Sequence, residues 1–214
     1  MTAGLQIFGD HGVLQIDQGY KNHLLRLRGT VGIGANNSAT VEAGDCTHPL
    51  LCVRPYGGLV HVRIETISNG YFRWRLYAGD APATVEYYIF DVGQPYQDIS
   101  PGLSVYAEDG QLVYNSNVKA MCVRQINGFN FDGGVPEGSF WIGSYGAALV
   151  AGSGIWWQDD GVWVARLMAM GVMYSGQTFH FGPVQVAQIP SNGGSSYPVS
   201  GGEHNVLQID VANL

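Results

Sequence analysis

The feature that most constrains this chain is a stretch that occurs twice, 98 residues apart. Gly4-Leu5-Gln6-Ile7-Phe8-Gly9-Asp10-His11-Gly12-Val13-Leu14-Gln15-Ile16-Asp17 returns as Gly102-Leu103-Ser104-Val105-Tyr106-Ala107-Glu108-Asp109-Gly110-Gln111-Leu112-Val113-Tyr114-Asn115. Four positions are identical without a gap, and Ile7/Val105, Phe8/Tyr106, Asp10/Glu108 and Asp17/Asn115 agree in kind. The offset carries on to Lys21/Lys119, the only two lysines, and to Arg26/Arg124. One coincidence is cheap; this many in one ungapped window indicate an internal repeat. In each copy apolar residues alternate with smaller or polar ones on both sides of an acidic residue and a glycine. Alternation is the period of a half-buried strand, and glycine accepts the positive φ of a tight loop, so the unit reads as a β-hairpin.

A repeat of this length divides 214 residues into two parts near the size of a β-sandwich. The 31 glycines, low charge and runs of Val, Thr, Tyr, Phe and Trp belong to an all-β chain of short strands, and no amphipathic helix is visible. The sequence therefore predicts two tandem β-sandwich-like domains related by the repeat: residues 1–93, a proline-flanked linker at 94–101, and residues 102–190. A Gly/Ser-rich arm and terminal strand follow at 191–214, with 191–202 expected to be an exposed arm.

Strands are predicted at Leu24–Val31, with Leu25 and Leu27 on one face and Arg26 and Arg28 on the other, and at Thr40–Glu42 and Pro49–Arg54. In Leu59–Thr66, Val60, Val62 and Ile64 read as inward and His61, Arg63 and Glu65 as outward. Ser68-Asn69-Gly70 reads as a turn before Tyr71–Tyr77, and Val85–Val92 closes the first domain. In the second domain the strands are Lys119–Ile126, Phe140–Ile142, Ala147–Val150, a hairpin from Ile155 to Met168, and Phe179–Ile189. Within that hairpin Trp163, Ala165 and Leu167 echo Phe72, Trp74 and Leu76. Val206-Leu207-Gln208-Ile209-Asp210 is identical to Val13–Asp17, but no glycine-led strand precedes it, so it reads as a strand of common alternation and not as a third copy.

Net charge is −7 with no basic block, which argues against a nucleic-acid binder. No apolar run reaches the length of a membrane span, so no membrane insertion is expected, and no basic-then-apolar leader is present. Cys46, Cys52 and Cys122 form no disulfide framework and read as reduced thiols.

Catalytic chemistry has no positive sign. Glu108-Asp109 and Asp159-Asp160 are paired carboxylates of the kind a glycosidase needs, but each pair stands just before a glycine between apolar runs, where turn residues belong. The six histidines show no metal-ligand spacing, Ser144 lacks a nucleophile-elbow context, and the glycines open no helix that could cradle a phosphate. No cofactor and no metal are expected.

Two aromatic features remain. Trp156 and Trp157 are neighbours on one predicted strand and so point to opposite faces, one to the core and one to a ligand or a neighbouring subunit. In Tyr71–Tyr77, alternation puts Phe72, Trp74 and Leu76 inward and leaves Tyr71, Arg73, Arg75 and Tyr77 as an outward stripe. Arginine and tyrosine are enriched at protein interfaces.

The opening, through Val13–Asp17 and Tyr20, together with Tyr87-Tyr88-Ile89-Phe90-Asp91, Gly102–Tyr106 and Leu112-Val113-Tyr114-Asn115-Ser116, resembles a family of small β-rich proteins encoded among the tail genes of bacteriophages and prophages. The resemblance covers roughly the first 125 residues, and the family supplies no catalytic residues. It implies a structural virion protein of the distal tail, tip or fibre region, assembled in the host cytoplasm. Its partners would be other tail subunits, including copies of itself, and a host-surface glycan or protein. The alternatives are a carbohydrate-binding receptor-recognition module and, third, a polysaccharide depolymerase.

Overall fold

The computed structural model describes residues 6–8, 14–17, 22–92, 102–108, 110, 112–130, 138–141, 146–151, 155–159, 164–190 and 203–211. The chain is all-β. The strands of the first half are β1 (Gln6–Phe8), β2 (Leu14–Asp17), β3 (His23–Ile33), β4 (Ser38–Ala43), β5 (Leu50–Tyr56), β6 (Val60–Ser68), β7 (Tyr71–Ala78) and β8 (Ala83–Val92). Those of the second half are β9 (Ser104–Tyr106), β10 (Leu112–Asn115), β11 (Val123–Asn130), β12 (Gly138–Trp141), β13 (Gly146–Ala151), β14 (Ile155–Asp159), β15 (Val164–Ser175), β16 (Thr178–Pro190) and β17 (Glu203–Asp210).

The repeat is structural down to its register. Hairpin β1–β2 pairs Gln6 with Asp17, Ile7 with Ile16 and Phe8 with Leu14. Hairpin β9–β10 pairs the corresponding Ser104 with Asn115, Val105 with Tyr114 and Tyr106 with Leu112, and both ladders slip at the same place. Gly110 takes φ +80°, the left-handed conformation predicted of its turn.

The duplication extends to nearly every strand. Both β3 and β11 carry a bulge, at Arg26 and Arg124, against β8 and β17. Strand β17 therefore takes the place of β8, not of β2: Ile209 meets Val123 where Phe90 meets Leu25. Strands β6 and β7 join through Asn69 and Gly70, and β15 and β16 through Gly176 and Gln177, all four residues at positive φ. Positive φ at both central residues is the type I′ geometry that matches strand twist. These hairpins correspond, so Phe72 answers to Phe179, and the echo predicted at residues 163–167 is the wrong partner. Letters alone aligned the wrong strand; the turn fixes the right one.

Strand order makes the relation visible. One sheet runs β11-β17-β13-β5-β8-β3 and the other β12-β16-β15-β6-β7-β4, with β14 beside β15. Each reads as the same unit outward from its centre, where equivalent strands pair antiparallel, Val53 with Ala148 and Val60 with Val172. That is a pseudo-two-fold arrangement, and β14 alone has no counterpart. Each half gives strands to both sheets, and the halves join edge to edge at β5–β13 and β6–β15. The proposed linker and the 191–202 arm lie outside the described residues.

The two sheets face each other across one core. Ile33, Leu51, Val53, Val85 and Ile89 from the first sheet pack with Val41, Val60, Trp74, Leu76, Val172 and Phe179 from the second. Each fully buried side chain of this size contributes about 1.5–3 kcal/mol. A smaller cluster of Cys52, Phe90, Ile209 and Val211, with Leu25 and Met121 against it, covers the first sheet's other face. The predicted strand from Lys119 begins only at Val123, because residues 119–121 bond elsewhere. Leu25 N donates to Lys119 O and Met121 N to His23 O, both at 2.8 Å, so this segment borders β3 just before the chain enters β11. The six-stranded sheet therefore closes on itself at that end.

A bulge explains one further departure from simple alternation. An extra residue in one strand reverses the facing of all that follow. Arg26 is such a residue, so Leu25 packs in the smaller cluster and Leu27 against the main core, not together on one face. In β6 alternation holds through Ile64, before the bulge at Glu65: His61 shares Tyr77's outward face and Ile64 the face of Trp74, yet His61 is 1% exposed, stacked on Tyr77, and Ile64 is 53% exposed.

Candidate functional site

The structure brings the predicted stripe together. On β7, Trp74, Leu76 and Ala78 are buried, while Tyr71, Arg73, Arg75 and Tyr77 are half-buried on the opposite face. The ladders set Glu42, Thr40 and Ser38 of β4 on one side of them, and Thr66, Arg63 and His61 of β6 on the other. Arg73 Nε donates to Glu42 Oε1 at 2.7 Å, and its Nη2 to the Tyr71 hydroxyl at 3.2 Å. Arg75 Nη2 lies 2.8 Å from Glu65 Oε1, the carboxylate of the residue that bulges from β6. Hydrogen bonding with Tyr71 and the Arg73 guanidinium hold the Glu42 carboxyl below its ordinary value. Both arginines are therefore fixed in place and neutralised from the flanking strands. Their oriented, flat, polar groups are what a specific protein contact uses.

Trp156 and Trp157 lie on β14, opposite Met168 and Leu167 of β15. Strand β14 pairs with β15 and β7 with β6 and β4, so the two predicted features lie on strands of one sheet that do not pair with each other. Asp159 ends β14 opposite Ala165, within the ladder. Among the described residues no group of three or more His, Cys, Asp or Glu side chains could hold a metal ion, and no helix is long and apolar enough to cross a membrane.

A second cluster escaped the sequence reading. Glu86 Oε2 accepts hydrogen bonds from the Tyr56 hydroxyl at 3.2 Å and the Tyr88 hydroxyl at 3.3 Å, with Arg54 Nη1 at 3.9 Å. The Arg54 guanidinium lies 4.1 Å from the centre of the Tyr174 ring, within cation–π range. Burial, with the Glu86 charge, pushes the Tyr56 hydroxyl up to about 12 and raises Tyr88 as well. Beside it, Arg28, Gly29, Thr30, Glu86 and Tyr88 line a cleft of about 290 Å³. No local motif announces this cluster, since its members come from three strands and a fourth in the other half. The usable signal is broken symmetry. Where β5 pairs Arg54 with Glu86, β13 pairs Ala151 with Asn205; where β3 pairs Arg28 with Tyr88, β11 pairs Ile126 with Leu207. Chemically the cluster is built on one carboxylate, which accepts from two hydroxyls and has the Arg54 guanidinium within ion-pair distance.

No protein-family model, no curated protein and no solved structure matches this chain.

Proposed function

We propose that this chain is a structural, subunit-joining protein of a bacteriophage tail, placed in the distal, tip or fibre region and acting without catalysis. The observation that carries the reading is the β7 stripe on the face turned away from the core: Tyr71, Arg73, Arg75 and Tyr77, with Arg73 held by Glu42 and Tyr71, Arg75 by Glu65, and Tyr77 stacked on His61. Ordering these long side chains before contact lowers the entropy cost of binding. The resemblance of the opening hairpin and of Tyr87–Asp91 to phage tail-region proteins supplies the setting. A host-surface glycan or protein is a second partner within the same reading.

Two measurements test it. Antibody against the chain should label tail ends of purified particles in electron micrographs; unlabelled particles that lack the chain by mass spectrometry refute the setting. Arg73→Ala with Arg75→Ala should leave the protein folded but reduce particle yield or host adsorption. Normal yield and adsorption would make the stripe ordinary surface, and binding on a glycan array would favour the carbohydrate-recognition alternative.

A further inference from the structure

A cleft of about 300 Å³ lies where the two halves meet on the second sheet, at the small end of the range for small-ligand sites. Asn36, Asn37, Ser38 and Tyr77 line it from the first half, and Gln185, Val186 and Ala187 of β16 from the second. Among the described residues no charged side chain lines it. Its polar groups are amides, a hydroxyl and a phenol, all of which both donate and accept hydrogen bonds.

The fold holds these groups in place. Asn36 takes φ +52°, a conformation that asparagine tolerates, and its N–H donates to Gly79 O at 2.8 Å. Asn37 Oδ1 accepts from Ser38 N at 2.8 Å, which leaves its Nδ2 as a donor. Tyr77 has Ser38 across the ladder on β4 and His61 on β6, and its ring stacks on His61 with 6.1 Å between centres. On the opposite wall the β15–β16 ladder passes from Leu167–Ala187 to Met168–Gln185, so Val186 is an extra residue. Bulges re-aim side chains and gather beside binding sites.

Broken symmetry marks the same place. Phe181 answers to Trp74, so Val184 answers to Tyr77, and their ladder partners Ala169 and His61 correspond. Val184 and Ala169 are both fully buried. Where the second half has plain apolar packing, the first half keeps a stacked pair of rings beside the cleft. The fold itself therefore does not require them.

We propose that this cleft binds one neutral sugar unit, a pyranose without charged substituents. Sugar hydroxyls donate and accept from adjacent carbons, which suits amides and hydroxyls set close together, and the C–H face of the ring packs on an aromatic side chain. A phosphate or carboxylate ligand would meet no cation here among the described residues, and an apolar ligand would strip water from the amides without replacing its hydrogen bonds. This inference rests on the reading above through its second partner, a host-surface glycan, and gives that partner a site.

The purified full-length protein tests it without particles. A chain that binds sugar but is absent from tails, or is present in tails but binds none, tells the two failures apart. The probes are the methyl glycosides of glucose, galactose, mannose, rhamnose and N-acetylglucosamine, with glucuronate as the charged control. Saturation-transfer NMR should detect at least one neutral probe, with a dissociation constant on the order of 1 mM. Asn36→Gly with Gln185→Ala should weaken it by about tenfold or more with an unchanged melting curve, since glycine accepts the positive φ at residue 36. Tyr77→Leu should weaken it as well, and Tyr77→Phe, which keeps the ring, should weaken it less. No signal from any neutral probe at concentrations on the order of 50 mM overturns the proposal. So does binding confined to glucuronate, or binding indifferent to these variants; if the amide variant fails to fold, the two Tyr77 variants decide.

Discussion

Arg26 and Arg124 occupy the same β-bulge in the two copies of the duplicated unit, yet they grip different things. Arg124 donates from Nε and Nη2 to Asp210 Oδ2. Arg26 donates instead to Gly44 O at 3.0 Å, and Asp91, the counterpart of Asp210, accepts from the backbone of Thr47 at 2.9 Å and His48 at 2.7 Å. The 44–48 loop of the first half has come between an arginine and an aspartate that in the second half still hold each other.

A buried carboxylate that satisfies two backbone N–H groups is costly to remove, because both donors are then left without a partner. Asp91 is 3% exposed. Asp91→Ala should lower stability by roughly 2–4 kcal/mol, a fall in melting temperature of roughly 5–15 °C for a chain of this length. Asp91→Asn, which keeps one acceptor oxygen, should recover part of that. Arg124→Ala, at an exposed pair, should barely move the melting curve. Equal losses for Asp91→Ala and Arg124→Ala would show that the two sites carry the same weight after all.

The three thiols should separate cleanly by reactivity. Cys46 and Cys52 are buried and Cys122 is exposed. Burial pushes the Cys52 thiol far up, and burial also raises Cys46, whose Sγ donates to Gly44 O at 3.3 Å. The thiolate is the reacting form. Native protein should therefore release one equivalent of chromophore rapidly from a thiol reagent, and Cys122→Ser should abolish that phase. Rapid reaction of a second thiol in the native state would contradict the packing around Cys52.

Alkaline pH should weaken the Arg54–Glu86–tyrosine cluster. The folded-state pKa of Tyr56 is raised, to about 12 from an ordinary 10, by burial first and then by Glu86. Between those values the unfolded chain releases the proton while the folded chain retains it, so stability falls as pH climbs from 10 to 12. Tyr88 shifts in the same direction. Melting temperature followed through that window should decline more steeply in the wild type than in Tyr56→Phe. Parallel curves would mean that the Tyr56 hydroxyl titrates as an exposed phenol.

Local structure was legible where one short segment determines it. The hairpins, the Asn69-Gly70 turn and the inward set Trp74 and Leu76 follow from period-2 alternation and turn chemistry, and all are present. Facing was lost wherever a bulge intervened, as at Arg26, because an extra residue leaves no mark in the letters. The place of β17 was hidden for a related reason. Val206–Asp210 copies Val13–Asp17 letter for letter but stands in for β8, with which it shares little beyond Asp91-Val92 and Asp210-Val211. Strand identity of this kind is cheap, and long-range pairing decides the slot. The β7 stripe was readable as residues; its neutralisation by Glu42 and Glu65 depends on neighbours chosen by the sheet.

The shared sheets make a last prediction at the junction of the halves. Gly171 of β15 lies beside the Val60–Val172 pair, and a Cβ there would meet Val184 Cγ2 on one side and the Val60 backbone, 3.1 Å from its carbonyl carbon and 3.3 Å from its nitrogen, on the other. Val184 is fully buried and β-branched, so it cannot readily turn aside, and it is the closer obstruction; the backbone of Val60 is the lesser one. Gly171→Ala should cost roughly 1–3 kcal/mol by overpacking. Adding Val184→Ala should relieve the clash with Val184, leaving the tight approach to Val60. Because the halves share both sheets and one core, urea should unfold the wild type in a single transition by fluorescence and by circular dichroism alike. Two resolved transitions, with Gly171→Ala shifting only the one that belongs to the second half, would show that the halves fold as separate units despite their common sheets.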